Sequence, residues 1–440
     1  MRRVAATFVG CKVSQADGEE ALARLAAGGV QAVRTRDHAD VVIVHTCCVT
    51  AEAERKSRRM VHRATALGKQ VVVAGCAAAL RPEQFAAPGV TVAARPDWSA
   101  LAAALANDEA APAPSGDLPA RHVDDALPCG EAPAACGERD DGRAAAATPG
   151  TRTRLVLKVQ DGCAGACSYC VVRLVRGAPR SLPLDEVLAA ARAGLARGCG
   201  EVVLSGIDLG AWRDGRTELP ELVAAVAALR GLRRVRLSSL EPRHVDAALL
   251  DALCLPRVAR HLHVPLQSAD DEVLAAMRRP YTFAAYVAAV EGLRRLPGGG
   301  MLSTDVIVGY PTEDEIAFAR TLAAVASGLF GRVHVFAFSA RPGTAAAELP
   351  PLPAAVVKER MARVLAAAAA AARVARRAAL GCDAEVLVEE RRDGLCTGYS
   401  SEYIRYALRG AARRGELVRA VADGEMGDVL IGTVKEESGD

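Results

Sequence analysis

The sequence predicts an α/β protein in three parts: an N-terminal parallel α/β domain, a central partial (β/α)6 barrel, and a small C-terminal antiparallel β-barrel. Three observations predict it. Short apolar runs alternate with helix-compatible stretches over the first hundred residues, six strand-then-helix units repeat from Arg154, and short alternating segments follow Gly381. The 440 residues leave room for several domains at about 150 residues each. The parts fall at residues 1–102, 151–376 and 377–440, joined by a linker over 103–150.

In the first part Val4–Val9, Val41–Val44 and Val71–Ala74 read as buried parallel strands, with helical character over Asp17–Ala27 and Glu52–Leu67. Each strand runs into a cysteine: Gly10-Cys11, Thr46-Cys47 and Gly75-Cys76. Ligands of open parallel sheets gather beyond the carboxyl ends of the strands, so Cys11, Cys47 and Cys76 converge on one edge as a three-thiolate site. A single buried cysteine is more often an ordinary core residue; three in equivalent places argue for ligation. Successive side chains of an extended segment point to opposite sides, so Cys47 and Cys48 do not both face the site without a turn, and the pleat alone does not choose between them.

The linker is rich in Ala, Pro, Gly and Asp and has no sustained period. Cys129 and Cys136 lie in it without fixed surroundings; they read as incidental thiols rather than as an extra ligand or a persulfide relay, as do Cys199, Cys254, Cys382 and Cys396.

The six barrel strands are expected at Leu155–Val159, Val202–Ser205, Val235–Ser238, His261–Pro265, Thr304–Val308 and Val333–Phe338, with functional residues at their carboxyl ends. After the first comes Cys163-Ala164-Gly165-Ala166-Cys167-Ser168-Tyr169-Cys170, a CxxxCxxC run. Three thiolates on so short a loop each hold one iron of a cubane, and the fourth iron keeps an open site that makes it a catalytic centre. A zinc site would pair the run with further cysteines or histidines, and none lies nearby. Gly206, Glu241, Gln267 and Gly309 follow the next four strands. His263 reads as a satisfied interior histidine, and Leu365–Ala372 as plain helix.

After Gly381, Ala384–Val388, Tyr403–Leu408, Leu417–Val421 and Val429–Val434 read as the small antiparallel barrel. Tyr399 and Tyr403, near the basic segment Arg409–Arg414, suit stacking on RNA and phosphate contact. The string Arg55-Lys56-Ser57-Arg58-Arg59 is a second basic patch. A net charge of +3 means that any nucleic-acid contact comes from such patches rather than from the whole surface. The start of the chain lacks a signal-type segment and arginines break the one long apolar candidate, Met361–Leu380; a soluble cytoplasmic protein with reduced thiols is expected among its 13 cysteines.

The cysteine loop, with Tyr169 before its third cysteine, resembles that of the radical S-adenosylmethionine (radical SAM) enzymes, in which the open iron is chelated by SAM. Gly10-Cys11-Lys12-Val13-Ser14-Gln15, Thr46-Cys47-Cys48-Val49-Thr50, Glu54-Arg55-Lys56-Ser57-Arg58, Ser238-Ser239-Leu240-Glu241-Pro242, His261 to Ser268 and Asp305 to Pro311 then resemble successive motifs of the methylthiotransferases, over nearly the whole chain. The resemblance selects Cys47 over Cys48, because the family's cysteine directly follows the threonine. Lys12, the Glu-Arg-Lys-Ser-Arg string and His334-Val335-Phe336 with Ser339 to Thr344 are similar to the MtaB branch, which acts on N6-threonylcarbamoyladenosine at position 37 of tRNA. Ser14, Arg173, Ala269 and Thr312 depart from the family pattern, and none is a ligand.

What the resemblance implies is specific. Two [4Fe-4S] clusters sit at Cys11, Cys47, Cys76 and at Cys163, Cys167, Cys170. SAM lies near Tyr169, Gly206, Glu241, Gln267 and Gly309, with Glu241 and Gln267 as hydrogen-bonding partners and the glycines allowing close backbone approach. The C-terminal part is TRAM-like, the partners are the tRNA anticodon stem-loop and an electron donor such as flavodoxin or ferredoxin, and no membrane is involved. One SAM methylates sulfur on the auxiliary cluster and a second is cleaved to the radical that opens C2 of adenine. Rival readings are isopentenyl-adenosine or a ribosomal-protein aspartate as substrate, and a metal-braced RNA-binding protein without enzymatic activity.

Overall fold

Valine runs become strands where both faces are covered, and the first part of the chain achieves this with a five-stranded parallel sheet. The computed structural model describes residues 2–33, 35–107, 153–297 and 299–435. The elements run β1 (Arg3–Phe8), α1 (Lys12–Ala27), β2 (Gln31–Ala32), β3 (Val41–Thr46), α2 (Ala51–Ala66), β4 (Gln70–Gly75), α3 (Cys76–Leu80), β5 (Val90–Val92) and α4 (Trp98–Ala106), with sheet order β2-β1-β3-β4-β5. Val41 to Val44 are fully buried, as a central parallel strand requires. Thr50 caps α2 by accepting the Ala53 N–H at 3.1 Å. Helix α1 starts at Lys12, five residues earlier than the sequence suggests, directly after Cys11. Helix α4 runs past the expected boundary at 102; the later part of the linker, with Cys129 and Cys136, lies outside the described residues.

The second part continues with β6 (Arg154–Lys158), β7 (Gln160–Asp161), α5 (Val172–Arg176), β8 (Arg180–Ser181), α6 (Leu184–Ala196), β9 (Glu201–Ser205), the hairpin β10 (Arg213–Asp214) and β11 (Thr217–Glu218), α7 (Leu219–Ala227), β12 (Arg234–Leu237), α8 (Ala247–Leu253), β13 (His261–His263), α9 (Asp271–Ala276), α10 (Phe283–Arg294), β14 (Met301–Val308), α11 (Glu315–Ala326), β15 (Arg332–Ala337) and α12 (Ala354–Ala378). Strands β6, β9 and β12 pair in parallel, as do β13, β14 and β15, and a parallel bridge between Ser239 and His263 joins the halves into one six-stranded arc. The outer side is apolar: Val202, Leu204, Val235, Leu237 and Leu262 pack with Leu222, Val226 and Tyr286 of the surrounding helices. The inner side alternates with it and is largely polar. On the open flank of the arc, Ala16 of α1 packs on Val156 and Val203, so the first domain covers the lumen.

The third part is a closed barrel of β16 (Asp383–Arg392), β17 (Leu395–Ser400), β18 (Arg405–Arg409), β19 (Leu417–Met426) and β20 (Val429–Val434), in the order β16-β17-β18-β20-β19. Two sequence expectations are corrected here. Strand β17 was not among the four expected, although Asp393-Gly394, both at positive φ, is the two-residue hairpin signal. The barrel is also not wholly antiparallel, since β18 and β20 pair in parallel. Directions cannot alternate all the way around a ring of five strands, so one parallel pair is unavoidable. Among the described residues no helix is long and apolar enough to cross a membrane.

Candidate active site

The loop after β6 is held by its own backbone. Gly162 has φ +75°, and a Cβ there would lie 2.1 Å from the Ala178 carbonyl, so only glycine serves. The Cys163 N–H donates to Gly177 at 3.1 Å, the Cys170 N–H to Cys167 at 3.2 Å, and the Gly165 N–H to the Cys163 sulfur at 3.2 Å. Ser168 anchors the loop to the end of α9, with its N–H on Met277 at 3.0 Å and its hydroxyl on Ala276 at 2.8 Å. Tyr169 packs with Val273, Met277 and Tyr310 beneath the loop, where burial holds its hydroxyl well above the usual range. Burial also raises Cys163 and pushes Cys170 up to about 11, while the nearby sulfurs reinforce the shift. Thiols in such a setting lose their protons to a metal rather than to water.

Glu241 forms an ion pair with Arg279, which also donates to the Cys167 sulfur at 3.3 Å and lies 4.9 Å over the Tyr281 ring. Its carboxylate does not cap the short turn at Pro242. Gln267 takes φ +69°, a left-handed conformation uncommon for a side-chain-bearing residue, and is pinned by its N–H on Asp305 at 2.8 Å and the Ile307 N–H on its carbonyl at 2.9 Å. The space beside Gly309 is taken by Val357 of α12 and that beside Gly206 by Gln160. Arg173 is exposed; Ala269 is buried with its N–H on Thr321.

The second set is assembled by tertiary structure. Gly10 has φ +115°, and a Cβ there would lie 2.9 Å from the Cys47 sulfur. Gly75 has φ +93°, with the Thr46 carbonyl 2.7 Å from where a Cβ would stand. Thr46 donates to the Ala74 carbonyl at 2.7 Å and accepts the Ala78 N–H at 3.1 Å, fixing α3 beneath Cys76. Ser57 accepts the Cys47 N–H at 3.2 Å, and Glu54 pairs with Arg341; two residues of the Glu-Arg-Lys-Ser-Arg string therefore brace the site rather than face solvent. Burial pushes Cys47 up to about 12, with the charges of Cys11 and Cys76 adding to it. Cys76 goes the other way, to about 6, because the Cys48 thiol donates to it and Arg176 lies beside it. Cys48 packs in the core with Val44 and Val171, and the same hydrogen bond holds its own proton on. Cys47 and Cys48 thus divide the labour.

Arg176, which nothing in the sequence marks as a site residue, joins the two sets. It donates to the Cys76 sulfur at 3.2 Å, to Asp17 of α1 at 2.8 Å and to Asp161 of the SAM-type loop at 3.3 Å.

Both sets suit a cubane better than a single ion. A tetrahedral zinc ion with bonds of about 2.3 Å needs its sulfurs about 3.8 Å apart. Among the described residues, only His263, Asp305 and His334 bring three ligand atoms within 4.8 Å of one another, so both cysteine sets are spread more widely, as a cluster with one iron per cysteine requires.

Those three residues lie in the barrel lumen. Asp305 Oδ1 is 3.1 Å from His263 Nε2 and 3.5 Å from His334 Nδ1, and His263 Nδ1 meets the Ser303 hydroxyl at 2.9 Å, so His263 is satisfied on both sides. Burial works against the Asp305 carboxylate, but the two imidazoles outweigh it and hold the group below the usual carboxylate range. Nearer the strand starts, Arg236 pairs with Glu201 at 3.2 Å and donates to the Ser400 and Ser401 carbonyls, docking the C-terminal barrel. Tyr399 and Tyr403 stack 5.0 Å apart beneath Arg154, Arg236 and Lys12. This corrects the expectation that these rings stack on RNA: their faces are covered by cations of the other two domains. Exposed Arg405, Arg409, Arg413 and Arg414 remain on the outer surface, as do Arg55 and Arg59 of α2.

Relatives of known family share this chain's sequence and fold. The family profile described as the Radical SAM superfamily matches residues 157–325, and that of the uncharacterized protein family UPF0004 matches residues 3–94. A tRNA-2-methylthio-N(6)-dimethylallyladenosine synthase of Sorangium cellulosum is 35% identical over 418 residues, spanning 89% of this chain and 82% of the relative. Threonylcarbamoyladenosine tRNA methylthiotransferase MtaB of Thermotoga maritima is 31% identical over 421 residues, spanning 93% and 92%. The solved radical SAM methyltransferase TsrM of Kitasatospora setae shares the fold, with a TM-score of 0.53 at 17% identity over 78% of this chain and 74% of that one. With two relatives above 30% identity matched over most of their length, the chain belongs to the radical SAM tRNA methylthiotransferases, enzymes that use SAM and [4Fe-4S] clusters.

Proposed function

We propose that this enzyme converts N6-threonylcarbamoyladenosine at position 37 of tRNA to its 2-methylthio derivative. The observation that carries the reading is the pair of three-cysteine sets tied together by Arg176. When bound, SAM and two [4Fe-4S] clusters, one at Cys163, Cys167 and Cys170 and one at Cys11, Cys47 and Cys76, supply the one-electron and sulfur chemistry that an unactivated aromatic C–H bond needs and that side-chain acids and bases cannot provide.

The chain's own residues position and protect. Arg176 locks the auxiliary edge to the catalytic loop, Arg279 pairs with Glu241 beside that loop, and Glu241 and Gln267 are our candidates for hydrogen bonds to SAM. Tyr169 and its apolar neighbours close the floor against water. The exposed arginines of α2 and of the TRAM-like barrel are suited to the phosphates of the anticodon stem-loop. Electrons come from a small donor such as flavodoxin or ferredoxin, in the cytoplasm.

The choice of nucleoside is supported by the lumen. Lys12, Arg236, His261, His263, Asp305 and His334 line it, a polar lining ill suited to a dimethylallyl group and suited to a substituent carrying a carboxylate, a hydroxyl and a urea. Mass spectrometry of tRNA nucleosides from a deletion strain tests this. Loss of 2-methylthio-N6-threonylcarbamoyladenosine with accumulation of its unmethylthiolated precursor is expected; loss of the dimethylallyl derivative instead would transfer the assignment to that nucleoside.

A further inference from the structure

Among the described residues, Lys12 is a lumen cation without a carboxylate partner. It directly follows Cys11 and its side chain is half-buried, with Nζ 5.3 Å from the centre of the Tyr403 ring; among the described residues it makes no hydrogen bond or ion pair. Its neighbours are already committed. Glu201 is held by Arg236 at 3.2 Å and Arg234 at 3.5 Å, Glu389 is taken by Arg154, and Asp305 by the two histidines. The Tyr403 ring that Lys12 faces lies 5.1 Å from the His261 ring, and His261 and His263 both meet the Ser303 hydroxyl at 2.9 Å, which puts the lysine in the same chamber as the His263–Asp305–His334 group. An ammonium partly removed from water and surrounded by paired charges is costly unless an anion joins it.

We propose that Lys12 binds the carboxylate of the nucleoside's N6 substituent and so selects an anionic substrate over one with an apolar substituent. The inference rests on the threonylcarbamoyl reading above and adds the residue that makes the choice. The carboxylate lies at the far end of the substituent from the adenine ring, so an ammonium one residue from the auxiliary ligand Cys11 anchors the nucleoside without touching its C2.

The test compares three anticodon stem-loops of one sequence, bearing threonylcarbamoyl-adenosine, dimethylallyl-adenosine or plain adenosine at position 37. Dissociation constants are measured by fluorescence anisotropy on the anaerobically reconstituted full chain, with KM and kcat followed by nucleoside mass spectrometry. The wild type is expected to prefer the threonylcarbamoyl loop. In Lys12→Met that preference collapses, with affinity falling on the order of tenfold or more toward that of plain adenosine, the scale of a charge-assisted hydrogen bond. The plain loop is unaffected, and Lys12→Arg recovers a substantial part of the preference. Equal weakening of all three loops would make Lys12 a backbone-phosphate contact and overturn the inference, as would a preference retained in Lys12→Met. Iron is counted in each variant: its loss in both Lys12→Met and Lys12→Gln would assign the lysine to the cluster cradle, again overturning it. A wild type that modifies only the dimethylallyl loop would instead remove the substrate reading itself, a distinct result.

Discussion

The two cysteine sets are brought together by opposite routes. Cys163, Cys167 and Cys170 sit on one loop whose turns are closed by hydrogen bonds within the loop and its immediate flanks. Cys11, Cys47 and Cys76 come from three separate strand ends, and their approach depends on two left-handed glycines, the Thr46 hydroxyl and the Ser57 hydroxyl of a neighbouring helix. A local set survives as long as its loop does; a tertiary set is only as stable as the sheet beneath it. Within the tertiary set protonation is also divided, since burial raises Cys47, as it does Cys163 and Cys170 of the loop, whereas Cys76 is lowered by Cys48 and Arg176.

The comparison is broken most directly by removing one ligand from each set. Cys163→Ala is expected to abolish reductive cleavage of SAM, whereas Cys11→Ala continues to release 5′-deoxyadenosine but yields no methylthiolated nucleoside, both read by chromatography and mass spectrometry. Full product from Cys11→Ala would mean that the auxiliary set is not part of the chemistry. Next in size is Arg176→Met, which leaves Asp17 only Lys158 and Asp161 only Lys158 and Arg180 in a largely buried seam. Losing one partner of a buried pair costs about 3–5 kcal/mol when the charge is left alone, and less here because other cations remain. Urea unfolding of the cluster-free protein measures that loss, and iron should fall from about eight toward about four per chain, with the auxiliary set lost first. A smaller contrast uses two glycines. Gly75→Ala forces a side chain into φ +93° against the Thr46 carbonyl and should cost about 1–3 kcal/mol. Gly165→Ala meets the Cys163 sulfur at 3.1 Å and the Cys167 sulfur at 3.9 Å, without a positive φ, so its effect on the stability of the chain should be the lesser; an equal loss would erase the local-versus-tertiary distinction.

This contrast also explains what the sequence revealed. The loop set is legible because spacing alone places three thiolates together, and the auxiliary set because parallel topology brings strand ends to one edge. Arg176, Arg279 and Asp17 were not legible as site residues, because their partners lie far away along the chain and an arginine on a short helix resembles any solvated one. The polar lumen did have a signal. Arg154-Leu155-Val156-Leu157-Lys158, Arg234-Val235-Arg236-Leu237 and His261-Leu262-His263 place polar residues on alternate positions, whereas strands buried on both faces are usually continuously apolar. Reading those segments only as apolar runs hid the inner face. Strand β17 did have a signal in the Asp393-Gly394 turn that precedes it, both residues at positive φ.

The smallest predicted effect asks whether the two regions unfold together. His45, in the strand leading to Cys47, is lowered to about 4 by burial, and burial likewise holds His261 in the barrel well below the ordinary histidine value. Each stays neutral in the folded chain while its unfolded counterpart takes up a proton below about pH 6.5, so the unfolded state binds more protons and stability must fall as pH drops through that value. Between pH 7.5 and 5.5 each histidine should remove about 1.4 kcal/mol from the unfolding free energy of the cluster-free protein. Asp305, lowered by its two histidines, contributes nothing to this window because its stabilisation fades only below the unfolded aspartate value of about 3.9. Urea unfolding at the two pH values should therefore show His261→Gln and His45→Gln each cutting the pH sensitivity by a comparable amount in a single shared transition. Two transitions, each flattened by only one substitution, would show that the sheet and the barrel open independently, and that the Arg176 seam is too weak to make them one cooperative unit.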